Sequence, residues 1–233
     1  MSITQGTIFE NLEQIRKTVI QACKNSHRDP QEIRIVAISK GFDSKVIREA
    51  CNAGITDIGE NYIQEALVKQ DALSQLPIHW HFTGHLQRNK IPLIVQRFEL
   101  IHSVDSMRLA ESLSAHSLKT GESVTALIQL KTSANIAHGF SIEEIRETAQ
   151  SLSQLEGLKP KGIMTMAPAS QDHEAVRASF RAATEIFHVL KRNFGSEFQH
   201  LSMGMSDDYD IAVEEGATML RLGRAIFGER RGR

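Results

Sequence analysis

The sequence predicts an α/β protein folded as a single (β/α)8 barrel of the TIM type, with one extra helix ahead of the first strand. Three observations predict it. Eight short apolar runs alternate with segments of helical periodicity along the chain. No Pro/Gly/Ser-rich linker or low-complexity stretch divides them, so residues 1–233 read as one domain. The unusual polar residues cluster at the ends of the apolar runs, which is where a barrel gathers its chemistry. A doubly wound parallel sheet shares the alternation, because strand order is not written in the pattern. Eight units in a chain of this length favour closure.

The elements follow in order. Phe9, Leu12, Ile15, Val19, Ile20 and Cys23 recur at helical spacing and predict a helix from Thr7 to about Ser26. Arg34–Lys40 is rich in β-branched residues and reads as the first strand, buried on both faces. Asp43-Ser44 is an N-cap signal for a helix that Gly54 closes. Thr56–Asn61 is a strand and Tyr62 to Leu73 a helix stopped before Pro77. His79–Gly84 is the third strand; a short helix over Arg88 to Gln96 tolerates Pro92 in its first turn. Leu100–Asp105 is a strand, with Asp105-Ser106 capping the next helix, and Val124–Leu130 is the fifth strand. Ser141-Ile-Glu-Glu opens a helix with a capping box. Leu158–Met166, His200–Gly204 and Met219–Gly223 are the last three strands. Helices over Gln171–Asn193 and Ser206–Glu215 and a final turn at Arg224–Phe227 complete the pattern.

Composition narrows the function. Hydrophobic content of 41% and charged content of 24% are ordinary for a globular protein. A formal net charge of −1 leaves no electrostatic footprint for nucleic acid or an anionic membrane. No apolar run approaches the ~20 residues of a spanning helix. Met1–Gly6 lacks the basic and apolar regions of a secretory signal, and Cys23 and Cys51 form no Cys-x-x-Cys pair. A cytoplasmic protein with reduced thiols is the expectation.

Chemistry concentrates at strand ends. Lys40 ends the first strand, where a buried ammonium is costly unless it reaches solvent or has a task. An amine in that setting can form a Schiff base with a carbonyl compound. The stretch Ser202-Met-Gly-Met-Ser-Asp-Asp208 and the turn Gly223-Arg224 each lead from a strand into a helix start, where free N–H groups hold anions such as phosphate. Ordinary N-capping would use the same residues. Arg221 sits within a strand between apolar neighbours and needs a buried partner or a ligand. His79 and His81 share one strand face and offer two metal ligands. No third ligand stands at a diagnostic spacing, so no metal is expected and hydrogen-bonded histidines fit better.

Several of these stretches resemble the pyridoxal phosphate homeostasis proteins, small relatives of the alanine racemase barrel with the type III fold of pyridoxal enzymes. The matching segments are Val36-Ala-Ile-Ser-Lys40, Gly59-Glu-Asn-Tyr-Ile-Gln-Glu65, Trp80 to Lys90, Leu201 to Asp208, Arg221-Leu-Gly223 and Ala225-Ile-Phe-Gly228. The resemblance implies pyridoxal 5′-phosphate held as a Schiff base on Lys40, with Asn61 beside the ring and Arg221 facing the pyridine nitrogen. It implies that Ser202, Ser206 and the backbone around Gly223-Arg224 hold the phosphate, with Met203 among the cofactor-binding residues. It also implies a non-catalytic, monomeric carrier for intracellular cofactor homeostasis, meeting amino acids and pyridoxal-requiring apoenzymes. The alternative is an amino-acid racemase or lyase on the same barrel, which needs a second base; Tyr62 and Tyr209 are the only tyrosines. Three positions depart from the family pattern. Lys131 stands where an Asn is usual, Ala137-His138-Gly139 lacks a usual lysine, and Arg224 replaces a small hydroxylated residue.

Overall fold

The computed structural model describes residues 7–133, 136–168 and 170–229. Eight parallel strands close into a barrel in sequence order. They are β1 (Arg34–Ile38), β2 (Asp57–Glu60), β3 (His79–Phe82), β4 (Leu100–Val104), β5 (Val124–Leu130), β6 (Leu158–Thr165), β7 (His200–Ser202) and β8 (Met219–Leu222). The closing pair sets Arg34 to Ala37 of β1 against Met219 to Leu222 of β8. That pairing rules out the doubly wound sheet, which would leave β1 and β8 unpaired with each other.

The helices are α1 (Ile8–Asn25), α2 (Ser44–Asn52), α3 (Ile63–Ala72), α4 (Ile91–Ile94), α5 (Met107–Thr120), α6 (Ile142–Ser153), α7 (His173–Phe194), α8 (Tyr209–Glu214) and α9 (Arg224–Phe227). Local chemistry explains their starts. Thr7 and Ser141 each form a full capping box, with Glu10 and Glu144, and the Asp43 carboxylate accepts from the N–H groups of Lys45 and Val46. Pro92 lies in the first turn of α4, and the 3-10 turn Arg88–Lys90 precedes it. α8 begins at Tyr209, later than the expected Ser206. Residues 205–208 instead form a turn in which Asp208 Oδ1 accepts from the Met205 N–H at 2.6 Å.

Several strands end one or two residues before their expected limits, so Lys40, Asn61, Asp105, Met166 and Gly223 lie just past the last paired residue. There the chain leaves the ladder, and Lys40, Asn61, Met166 and Gly223 reach the barrel mouth. The outward strand residues, such as Ile58, Phe82 and Ile128, pack with the helices in one continuous core. Inside the barrel the apolar filling is small, a cluster of Leu100, Leu127, Met164 and Met219. Polar side chains occupy much of the rest. No helix among the described residues is long and apolar enough to cross a membrane.

Candidate functional site

A cavity of about 500 Å³ opens at the C-terminal mouth of the barrel. It is lined by Lys40, Asn61, Ser206, Arg221, Gly223 and Arg224, together with Thr83, Met166 and Met205. Six of the residues singled out in the sequence therefore meet in one place.

Lys40 is held in a tight turn. The Phe42 N–H donates to the Ser39 carbonyl at 3.0 Å, and Gly41 adopts φ +80°, a conformation that favours glycine. Beneath this turn lies a buried network. The Lys69 ammonium of α3 donates to the Ser39 carbonyl at 2.8 Å, to Glu60 Oε1 at 2.6 Å and to Glu65 Oε1 at 2.7 Å. Glu65 Oε1 also accepts from the Gly41 N–H at 2.6 Å. Burial pushes the Glu60 carboxyl above its ordinary range, with hydrogen bonds from Lys69 and Ser39 opposing that rise. A helix side chain thus braces the loop that presents Lys40.

Asn61 is fixed from β3. Its Oδ1 accepts from the Thr83 hydroxyl at 2.9 Å. Gly84 passes so close that a Cβ there would meet the Asn61 carbonyl oxygen at 2.1 Å, so a side chain at Gly84 would displace Asn61.

The strand-seven and strand-eight turns are joined at the opposite edge. The Ser206 hydroxyl accepts from the Ala225 N–H at 3.0 Å, which leaves its own proton available to donate. Arg224 is half-exposed and paired with Asp207 and Glu229 at the rim. The hydrogen bond that it donates to Asp207, and the charge of that carboxylate, hold its pKa above the ordinary value.

Ser202 and Met203 do not line this cavity. Ser202 is level in register with Met219, one inward-facing layer below Arg221. Its hydroxyl is fully buried and accepts from Arg221 Nη1 at 2.7 Å. Met203 is buried in the outer core, and its N–H donates to the Met219 carbonyl. The sequence reading gave Ser202 a place at the phosphate; in this structure its hydroxyl supports Arg221 from beneath.

Arg221 is the upper end of a polar chain through the barrel. Nη2 donates to the Thr165 carbonyl at 2.8 Å. Below Ser202, His102 Nδ1 lies 3.1 Å from its Oγ, His81 Nδ1 lies 3.0 Å from His102 Nε2, and His81 Nε2 lies 2.9 Å from Asp57 Oδ1. Arginine can only donate and an ionised carboxylate only accept. With both histidines neutral, every bond in the chain runs from Arg221 toward Asp57. Burial drives the His102 pKa well below its ordinary value, and a proton there would also be opposed by His81, Arg221 and His200. Burial also pushes the Arg221 guanidinium down to about 10, opposed by the Asp208 carboxylate; it stays a cation at neutral pH.

The family model for the alanine racemase N-terminal domain matches residues 8–231. A pyridoxal phosphate homeostasis protein of Pseudomonas aeruginosa is 36% identical over 97% of this chain and 96% of its own length. The chain belongs to the pyridoxal phosphate homeostasis protein family. The structure of one similar protein, PipY of Synechococcus elongatus with PLP bound, superposes with a TM-score of 0.84 at 35% identity, covering 95% of this chain and all of PipY. Alanine racemase of Corynebacterium glutamicum shares the fold, with a TM-score of 0.73 at 14% identity over 97% of this chain and 61% of the racemase.

Sequence reasoning placed Met205 and Thr83 at strand ends without giving them a role, and it did not single out His102 in the interior chain or the Lys69 brace. Only His102 carried a visible signal, a polar residue inside an apolar strand; the others are ordinary at their positions.

Proposed function

We propose that the mouth cavity binds pyridoxal 5′-phosphate through covalent attachment to the Lys40 amine, and that the protein serves cofactor homeostasis as a carrier without catalytic turnover. The observation that carries this reading is the meeting in one cavity of a lysine, a buried guanidinium and a hydroxyl-bearing turn. That donor set suits the ligand: an amine for the aldehyde, a cation for the ring nitrogen, and hydroxyl and backbone donors for a phosphate. A volume of about 500 Å³ lies within the usual range for small-molecule sites. The names of the homologous proteins and the ligand of PipY support the same assignment.

The surroundings of each residue, together with the family resemblance, support a role for it. Lys40 supplies the nucleophilic amine from a braced turn. Asn61, locked by Thr83, restricts the plane of a ring lying against it. Ser206 donates its free proton to a phosphate oxygen, and the backbone around Gly223-Arg224 adds N–H groups. The Arg224 guanidinium stands at the rim where the family pattern has a hydroxyl, and it contributes charge there. Arg221 would donate toward the ring nitrogen of the bound cofactor and oppose its protonation. Bound pyridoxal phosphate supplies an aldehyde and an electron-withdrawing ring, and that arrangement keeps the ring a weak electron sink.

The only carboxylates in the lining among the described residues, Asp207 and Glu229, are both paired with Arg224. Among the described residues the lining contains no histidine and no tyrosine. Tyr62 is exposed at the start of α3, and Tyr209 opens α8; both lie outside the cavity. We place the protein in the cytoplasm as a monomer that exchanges cofactor with free amino acids and pyridoxal-requiring apoenzymes, a reading that follows the family resemblance.

Borohydride reduction of the pyridoxal phosphate-loaded protein, followed by peptide mapping, tests the assignment. The pyridoxyl group is expected on Lys40. Attachment at Lys45, Lys90 or Lys131 would refute it.

A further inference from the structure

We propose that His85, Asp105 and His138 form a binding site for one divalent transition-metal ion of the zinc class. The three residues come from the ends of β3 and β4 and from the loop after β5. They stand on the same rim as the mouth cavity but line no part of it. The site is independent of the cofactor reading.

The donors converge. Asp105 Oδ2 lies 3.2 Å from His85 Nδ1 and 3.7 Å from His138 Nδ1, and the three ligand atoms all lie within 4.8 Å of one another. Bonds of about 2.0–2.2 Å to a tetrahedral zinc place its ligand atoms about 3.3–3.6 Å apart. The two separations from Asp105 are close to that spacing. The two imidazoles stack at 4.2 Å between centroids, tilted by 20°, and both turn the Nδ1 edge toward the same carboxylate oxygen. Both rings are about half exposed, so they can rotate to aim their lone pairs at one ion.

The support around the donors is built in. The Ser106 hydroxyl donates to Asp105 Oδ1 at 3.1 Å, orienting the carboxylate and leaving Oδ2 for the histidine pair. Asp105 itself is only 11% exposed. The His138 carbonyl accepts from the side chain of Gln129 at 2.9 Å, and that glutamine is buried inside the barrel. The next residues are laced to β5: the Phe140 N–H donates to the Gln129 carbonyl at 2.8 Å and the Lys131 N–H to the Phe140 carbonyl at 2.9 Å. The backbone that presents His138 is therefore tied to a strand.

The chemistry selects the ion. Two neutral imidazoles and one carboxylate suit zinc, cobalt and nickel, and match neither the all-oxygen set of calcium nor the thiolate set of copper(I). Three protein ligands leave at least one position for water or an exogenous donor. Such an ion would sit at the barrel rim, as a Lewis acid open to solvent.

The test uses the purified, cofactor-loaded protein, treated with chelator and desalted. Titration with Co²⁺ should give visible ligand-field bands saturating at one equivalent, and Zn²⁺ should displace them. His85→Ala, His138→Ala and Asp105→Asn should each weaken binding at least tenfold. His79→Ala, an exposed histidine elsewhere on β3, should leave it unchanged. Circular dichroism of each variant separates lost binding from lost folding, and half-exposed histidines are substitutions that the fold tolerates. Three results would overturn the proposal: binding short of one equivalent, affinity unaffected by all three substitutions in folded protein, or a thiolate-to-cobalt charge-transfer band pointing to Cys51.

Discussion

Replacing Ser202 with alanine should destabilise the protein by about 2–4 kcal/mol, a large effect for the loss of one oxygen atom. The magnitude follows from what that oxygen holds. It accepts from Arg221 Nη1 at 2.7 Å and lies 3.1 Å from His102 Nδ1, in a fully buried layer. A hydrogen bond to a charged group contributes about 1.5–3 kcal/mol and a neutral one about 0.5–1.5 kcal/mol. The guanidinium keeps the Thr165 carbonyl at 2.8 Å, so the loss stays near or below the roughly 3–5 kcal/mol of a fully broken buried ion pair. For a chain of this length the change corresponds to a fall in Tm of about 4–16 °C. Equilibrium urea denaturation of cofactor-free protein is the appropriate assay, because ligand binding would add its own stabilisation. An unchanged m value with a lowered midpoint is expected. A loss under about 0.5 kcal/mol would show that Ser202 does not support Arg221 in solution and would refute the interior chain.

Ser206→Ala should behave oppositely, with little change in stability but pyridoxal phosphate binding weakened by about 1.5–3 kcal/mol, roughly 10- to 150-fold. Binding of unphosphorylated pyridoxal should be unaffected; equal losses for both ligands would make the residue structural. Lys69→Met should cost about 3–5 kcal/mol by stranding Glu60 and Glu65 around an absent cation, read from the urea midpoint. Stability should also fall with acid. Burial, then the charge of Arg34, pushes the His200 pKa from an ordinary 6.5 down to about 4, and His102 is lowered in the same direction. Unfolded histidine binds a proton below about 6.5 while the folded protein resists until near 4, so stability present above that window is lost within it as pH falls. A urea midpoint that holds constant or rises between pH 6.5 and 4 would contradict this. Finally, α-deuterium exchange of L- or D-alanine should stay below about 1 s⁻¹, under the usual enzyme range, since the carboxylates in the lining, Asp207 and Glu229, are both paired with Arg224.

Local structure was legible in the chain because its causes are local. The Asp43 and Ser141 caps, the β-branched run that opens at Arg34 and the apolar strand Val124–Leu130 act over a few residues, and the structure reproduces them, with the first strand ending at Ile38. The convergence of Lys40, Asn61, Arg221 and Gly223 was legible for a related reason, since parallel strands bring their C-terminal ends to one rim. Depth within the barrel was not. Ser202 and Ser206 look alike in sequence, yet the pairing of Ser202 with Met219 sets one a layer below Arg221, while the other reaches the cavity. That difference depends on the stagger between neighbouring strands, a property of barrel closure that no single strand encodes. The same holds for His81 and His102, for Lys69 beneath the Lys40 turn, and for His85, Asp105 and His138. Each group is assembled from separate elements, so its members become neighbours only when β8 pairs with β1 and the sheet closes. The sequence by itself therefore determined the elements and the rim on which chemistry gathers. The tertiary structure alone decided which polar side chains face a ligand and which hold one another, because that choice is made by register between strands distant in the chain.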